Sequence, residues 1–104
     1  IMSGTIEKLV TTIRSRKGSN IDSSYTALLL SKGNDHCVSK LKEEVMELED
    51  AIKNKKNTVH ETADVIYHLL VALESAGIKF NDVIEELEKR NDISGLEEKK
   101  NRLK

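Results

Sequence analysis

The run Val65-Ile66-Tyr67-His68-Leu69-Leu70-Val71-Ala72-Leu73 carries a single strongly polar residue, His68. A helix that is apolar almost all round has to be buried almost all round, so this segment sets the core of any fold the chain adopts. Just ahead of it stand Glu61 and Asp64. At about 100° per residue, Glu61, Asp64 and His68 share an arc of roughly 60°. Val65, Leu69 and Ala72 border one edge of that arc, and Tyr67 and Val71 the other. A narrow acidic stripe between apolar walls is costly to bury without a counter-charge. A solvated face would be wider and mixed in sign.

A second acidic pattern precedes it, Glu43-Glu44-x-x-Glu47. Val38, Leu41, Val45, Leu48 and Ile52 recur in steps of three and four, which predicts one packed helical stripe. Lys40, Glu44, Glu47 and Ala51 form a row beside it, and Glu43 lies further round. The short turn Asn54-Lys55-Lys56-Asn57 makes the two helices antiparallel neighbours and brings Glu44 and Glu47 towards Glu61 and Asp64. Four carboxylates so placed repel one another unless a cation sits between them. Oxygen-only donors favour a hard divalent ion, Mg²⁺ or Mn²⁺, of the kind that keeps waters and carries a phosphate-bearing substrate. Plainer readings stand beside this one. Lys40 and Glu44 have the spacing of an ordinary i,i+4 pair on a solvent face. Thr58-x-x-Glu61 fits a capping box, which would account for Glu61 without chemistry. His68 also reads as a satisfied core histidine, and His36 and His60 as exposed and incidental.

The rest of the chain narrows the class. Its 104 residues suit one domain, with a core over about residues 5–90 and a charged tail over 91–104. There is no proline, and aromatic residues make up 3%, which favours helix over a sandwich or barrel. A formal charge of −1 with 34% charged residues describes a soluble protein without the basic footprint of a nucleic-acid binder. No stretch is apolar enough to span a bilayer or to serve as a secretory leader, and Ile1 reads as an addition ahead of a natural start at Met2. Cys37 is the sole cysteine, so no internal disulfide forms, and a cytoplasmic, reducing setting is expected. The thiol has no evident catalytic partner and reads as structural.

Helices are predicted over residues 5–15, from a cap at Ser23 or Ser24 through Leu30, over residues 35–54, from the turn to Gly77, and from a cap at Asn81 or Asp82 to about Arg90. Arg14 to Asp22 reads as a loop, and the tail as a mobile helix. Since a chain this short cannot cover the Val65–Leu73 helix by itself, a homo-oligomer is expected, a dimer first.

Residues 24–90 resemble the phosphoribosyl-ATP pyrophosphohydrolase family, all-α and MazG-like. The resemblance rests on Ser24-Tyr25-Thr26-Ala27 with Leu29-Leu30 and Lys32-Gly33, on Lys40 with Glu43-Glu44-x-x-Glu47, and on Glu61-x-Ala63-Asp64-x-x-Tyr67-His68-Leu69-Leu70. Ser94-Gly95-Leu96-Glu97-Glu98-Lys99 is similar to the family's C-terminal motif. Lys42 and Leu28 depart from it, where the family often has glycine and a basic residue. The resemblance implies a helical bundle whose two antiparallel motif helices hold a Mg²⁺ or Mn²⁺ site. It implies Mg-dependent hydrolysis of phosphoribosyl-ATP to phosphoribosyl-AMP and pyrophosphate, the second step of histidine biosynthesis. On that reading Glu44, Glu47, Glu61 and Asp64 hold the metal, Glu43 or Glu44 assists the attacking water, and Lys32 and Lys40 contact phosphate. Three other readings remain: a house-cleaning pyrophosphatase for other nucleotides, a non-catalytic helical dimerisation module, and a carboxylate-bridged di-iron protein. The last normally pairs Glu-x-x-His motifs. Here both motifs end in a carboxylate, which ranks it lowest.

Overall fold

The computed structural model describes residues 2–91 and 95–102, and every described element is helical. In chain order these are α1 (Met2–Arg16), α2 (Tyr25–Ser31), α3 (Asn34–Asn54), α4 (Thr58–Ser75), α5 (Phe80–Asn91) and α6 (Gly95–Arg102). The last falls in the tail that was expected to be helical. Ile1, and Ser94 of the C-terminal motif, lie outside the described residues.

The local chemistry explains the boundaries. Ser24 sits in extended backbone and its hydroxyl accepts the Ala27 N–H at 3.1 Å, a cap of the expected kind. Gly33 turns the chain from α2 into α3 at φ 89°, a conformation open to glycine at no steric cost. Gly77, at φ 73°, ends α4 in a Schellman arrangement. Its N–H bonds Glu74 O at 3.1 Å, and the Ile78 N–H bonds Leu73 O at 2.9 Å. This exit leads so directly into the next helix that α5 begins at Phe80. Asn81 and Asp82, expected as its caps, therefore fall within the first turn, where the Asp82 charge suits the helix dipole.

The α3–α4 hairpin is the centre of the fold, with α1 and α2 laid against α4. Its turn is pinned on one carbonyl. Ala51 O accepts from Lys55 N–H, from Lys56 N–H at 3.1 Å and from Thr58 Oγ1 at 3.2 Å, while Lys55 and Asn57 take the left-handed conformation. The Thr58 hydroxyl is thereby committed to α3, and Asn57 stands at the N-cap position of α4 without a side-chain cap hydrogen bond. The capping box expected between Thr58 and Glu61 does not form, so the Glu61 carboxylate is left for other work.

Ile13, Leu29, Cys37, Leu70 and Val71 form the buried core, lined by Ile6, Leu9, Val10, Leu30, Tyr67, Ala72 and Phe80. Cys37 is structural, as expected: it is buried, and its thiol donates to Leu29 O at 3.2 Å. The single chain leaves apolar faces open, as expected of one too short to cover α4 by itself. The α3 stripe is not packed within the single chain, since Val38, Val45 and Ile52 are 43%, 47% and 58% exposed. Nor is α4 buried all round, because Ile66 and Leu69 are more than a third open. The reason is arithmetic: α1 and α2 cover one side of the hairpin, and no described element covers the other.

Candidate metal centre

The acids meet in the hairpin. Carboxylate oxygens of Glu44 and Glu47 on α3 and of Glu61 on α4 lie within 4.8 Å of one another. Asp64 adjoins them one turn along α4, and the same limit holds for the trio His60, Glu61 and Asp64. The three-residue spacings put Glu44 and Glu47 on one face of α3 and Glu61 and Asp64 on one face of α4, and Glu61 is the residue common to the two groups.

The electrostatics of this gap are unfavourable to a metal-free state. Burial, then the hydrogen bond and charge of Glu47, then Asp64 and Glu61, push the Glu44 carboxyl up from 4.5 to about 7. Burial and the neighbouring Glu47 also raise Glu61. Glu44 Oε2 and Glu61 Oε2 are buried without any hydrogen-bond partner. Buried acceptors left unpaired carry a desolvation cost, and these two face a set of oxygen donors. That is the donor chemistry a hard divalent cation requires.

His68 does not supply the missing positive charge. It is buried on α4, 3.7 Å from Glu44 Oε1 through Nε2, and edge-on to Tyr25 and Tyr67 at ring separations of 6.2 and 5.0 Å. Burial first, and Lys40 second, lower its pKa, which keeps the imidazole neutral. Tyr67 is fixed in turn by a hydrogen bond to the Thr26 hydroxyl of α2. So α2 braces the side of α4 that carries the site.

The remaining sequence candidates stand apart from the trio of Glu44, Glu47 and Glu61. Lys40 pairs with Glu43 at 3.2 Å, one turn on at i,i+3, in place of the expected i,i+4 pair with Glu44. Glu44 is drawn into the gap and leaves Glu43, itself 59% exposed, as the accessible partner; this contact raises the Lys40 pKa. Lys32 is exposed at the C-cap of α2 and is not among the residues gathered at the acids. His36, expected to be exposed, is half-buried on α3. His60, expected to be incidental, lies 3.2 Å from Asp64 Oδ2. Its i,i+4 spacing to Asp64 was the signal that could have found it.

A pH effect follows for the metal-free protein. Between pH 4.5 and about 7 folded Glu44 holds a proton that an unfolded glutamate has lost. Its stabilising contribution is full below that window and disappears as pH rises through it. In EDTA, the melting temperature of wild type relative to Glu44→Gln is therefore expected to fall across this range. A difference that is flat or rises with pH would contradict the buried-acid geometry.

An all-α bundle whose central antiparallel hairpin faces acidic pairs across a gap defines the MazG-like class of helical proteins. Within that class the family model for Phosphoribosyl-ATP pyrophosphohydrolase matches residues 6–91, and the chain belongs to this family. It is 43% identical over 100 residues to Phosphoribosyl-ATP pyrophosphatase 1 of Rhodopseudomonas palustris, covering 94% of each chain. It is also 43% identical over 99 residues to the phosphoribosyl-ATP pyrophosphatase of Dinoroseobacter shibae, covering 93% of this chain and 97% of the relative. The Roseobacter denitrificans protein of the same name is 43% identical over 102 residues, covering 96% and 97%.

Proposed function

We propose that this protein hydrolyses phosphoribosyl-ATP to phosphoribosyl-AMP and pyrophosphate in the cytoplasm, as the second step of histidine biosynthesis. The observation that carries the substrate is near-full-length identity to relatives named for that reaction. The catalytic unit spans the whole chain, with the acid-bearing bundle over residues 5–90.

Glu44, Glu47, Glu61 and Asp64 hold Mg²⁺, or Mn²⁺ in its place. Bound there, such an ion supplies neutralising charge to the triphosphate and acidifies water. The chain's own groups do the rest. The acidic gap excludes a bare polyphosphate, so binding is tied to the loaded site. Glu43, exposed and paired with Lys40, takes the proton of the water that bonds to phosphorus as the bond to the departing pyrophosphate breaks. Lys40, beside Glu43 and partly exposed, and Lys32, exposed at the C-cap of α2, contact the phosphates. No described helix is long and apolar enough to cross a membrane.

The test is pyrophosphate release from phosphoribosyl-ATP with and without Mg²⁺, beside a panel of deoxynucleoside triphosphates. Metal-dependent turnover of phosphoribosyl-ATP well above the panel is the expected result. Equal or better turnover of the panel would make the protein a house-cleaning pyrophosphatase instead. Metal linkage is read separately by melting. At 100 times its dissociation constant, Mg²⁺ or Mn²⁺ should add roughly 2.7 kcal/mol. Identical melting curves in EDTA and in millimolar Mn²⁺ would remove the site.

The active form is a homodimer. Val38, Leu41, Val45, Leu48 and Ile52 repeat at the a and d spacing of a heptad along α3, and Val59, Ile66, Leu69 and Leu73 do so along α4. Much of this two-helix seam is open in the single chain, with Val59 at 86% exposure. Two hairpins joined on these seams make a four-helix bundle that covers both. Light scattering is expected to return twice the 11.7 kDa of one chain. A single-chain mass at working concentration would defeat this.

A further inference from the structure

The donors in the hairpin form two trios that share Glu61, and they differ in kind. Glu44, Glu47 and Glu61 offer oxygen alone, whereas His60, Glu61 and Asp64 include an imidazole nitrogen. His60 and Asp64 stand at i,i+4 on one face of α4, the spacing by which two side chains of a helix reach one ion. The 3.2 Å between His60 Nε2 and Asp64 Oδ2 matches the separation of about 3 Å between adjacent ligands of an octahedral ion with bonds near 2.1 Å. What holds them together without an ion is weak. His60 is 74% exposed and Asp64 38% exposed, so solvent screens the pair and little holds it together. A divalent cation at Asp64 readily takes over both groups.

Resting on the metal-centre reading above, we infer that His60 is a nitrogen ligand of that centre and makes its outer position prefer Mn²⁺ to Mg²⁺. Mn²⁺, like Mg²⁺, is content with carboxylate and water oxygens and stands at the weak end of the first-row transition series, but as a transition ion it gains more from an imidazole nitrogen than Mg²⁺ does. His60 thus sets which ion the outer position selects, and the carboxylates alone would leave that choice open.

Mn²⁺ itself is the probe, added to the wild-type protein, to His60→Ala and to His60→Gln. Pulsed electron paramagnetic resonance reads nitrogen bound to the ion, and calorimetry reads affinity for Mn²⁺ and for Mg²⁺. Nitrogen coupling is expected in wild type and absent in both variants. Mn²⁺ affinity should drop about tenfold or more in His60→Ala, since even groups one step removed from a metal cost roughly 10- to 100-fold. Mg²⁺ affinity should change little. Glutamine can still donate a hydrogen bond to Asp64, so recovery of Mn²⁺ affinity in His60→Gln would mark a positioning role and overturn the inference. Mn²⁺ bound through oxygen alone, or nitrogen coupling that survives in His60→Ala and so comes from His68, would also overturn it while leaving the metal centre intact. No Mn²⁺ binding in wild type would bring down the metal centre itself, and this inference with it.

Discussion

Glu61→Gln is expected to lower turnover of phosphoribosyl-ATP by more than about a hundredfold, because losing even outer partners of a metal costs roughly 10- to 100-fold. The fold should survive. Asn57 stands at the N-cap position of α4 and the Thr58 hydroxyl is bound to Ala51 O, so the Glu61 carboxylate has no capping box to join. It sits instead in the gap with one oxygen buried and unpartnered, its pKa raised by burial and by Glu47. Glutamine has nearly the same shape but lacks the charge a hard cation needs. In EDTA the variant should melt at the wild-type temperature or slightly higher, since one of several like charges is gone. The rise in melting temperature on adding Mg²⁺ should shrink. Asp64→Asn should behave alike. Turnover near wild type in Glu61→Gln would show that the acid cluster is not the catalytic centre.

Much of the fold and of the acid cluster is legible in the sequence, and the reason is periodicity. Spacings of three and four fix which side chains share a helix face, so Glu44, Glu47, Glu61 and Asp64 could be named together. The punctuation of Ser24, Gly33 and Gly77 fixed where helices start and stop. What spacing does not fix is what lies across from a face. Lys40 had acids at both i+3 and i+4, and burial of Glu44 in the gap decided for Glu43. Thr58 fitted a capping box, but Ala51 O lay within reach across the turn and took its hydroxyl. The stripe on α3 reads as apolar and is open in the single chain, for a period reveals that a face needs cover and not which molecule provides it. His60 reads as exposed and incidental, and is exposed; the contact it makes with Asp64 follows from their i,i+4 spacing.

Leu29→Ala is expected to do the reverse of the Glu61 substitution, losing stability and keeping chemistry. Leu29 is 1% exposed and sits with Ile13, Cys37, Leu70 and Val71 at the meeting of α1, α2, α3 and α4. Truncating a buried leucine removes its transfer free energy and leaves a cavity that neighbours only partly fill, for a loss of about 2–5 kcal/mol. A domain of this kind has roughly 5–15 kcal/mol in all. The melting temperature should therefore fall by about 10 °C or more. None of the five core residues belongs to the acid cluster, so below the transition Mg²⁺ should still raise the melting temperature and turnover should stay near wild type. The α2 helix braces Tyr67 through Thr26, which gives the prediction a second arm. Thr26→Val should leave the core intact while loosening the tyrosine beside His68, and so cost less stability than Leu29→Ala. A drop of only a degree or two in Leu29→Ala would mean that the core is not where these helices place it. Turnover lost in step with Glu61→Gln at a temperature where the chain is folded would mean that core and site are not separable.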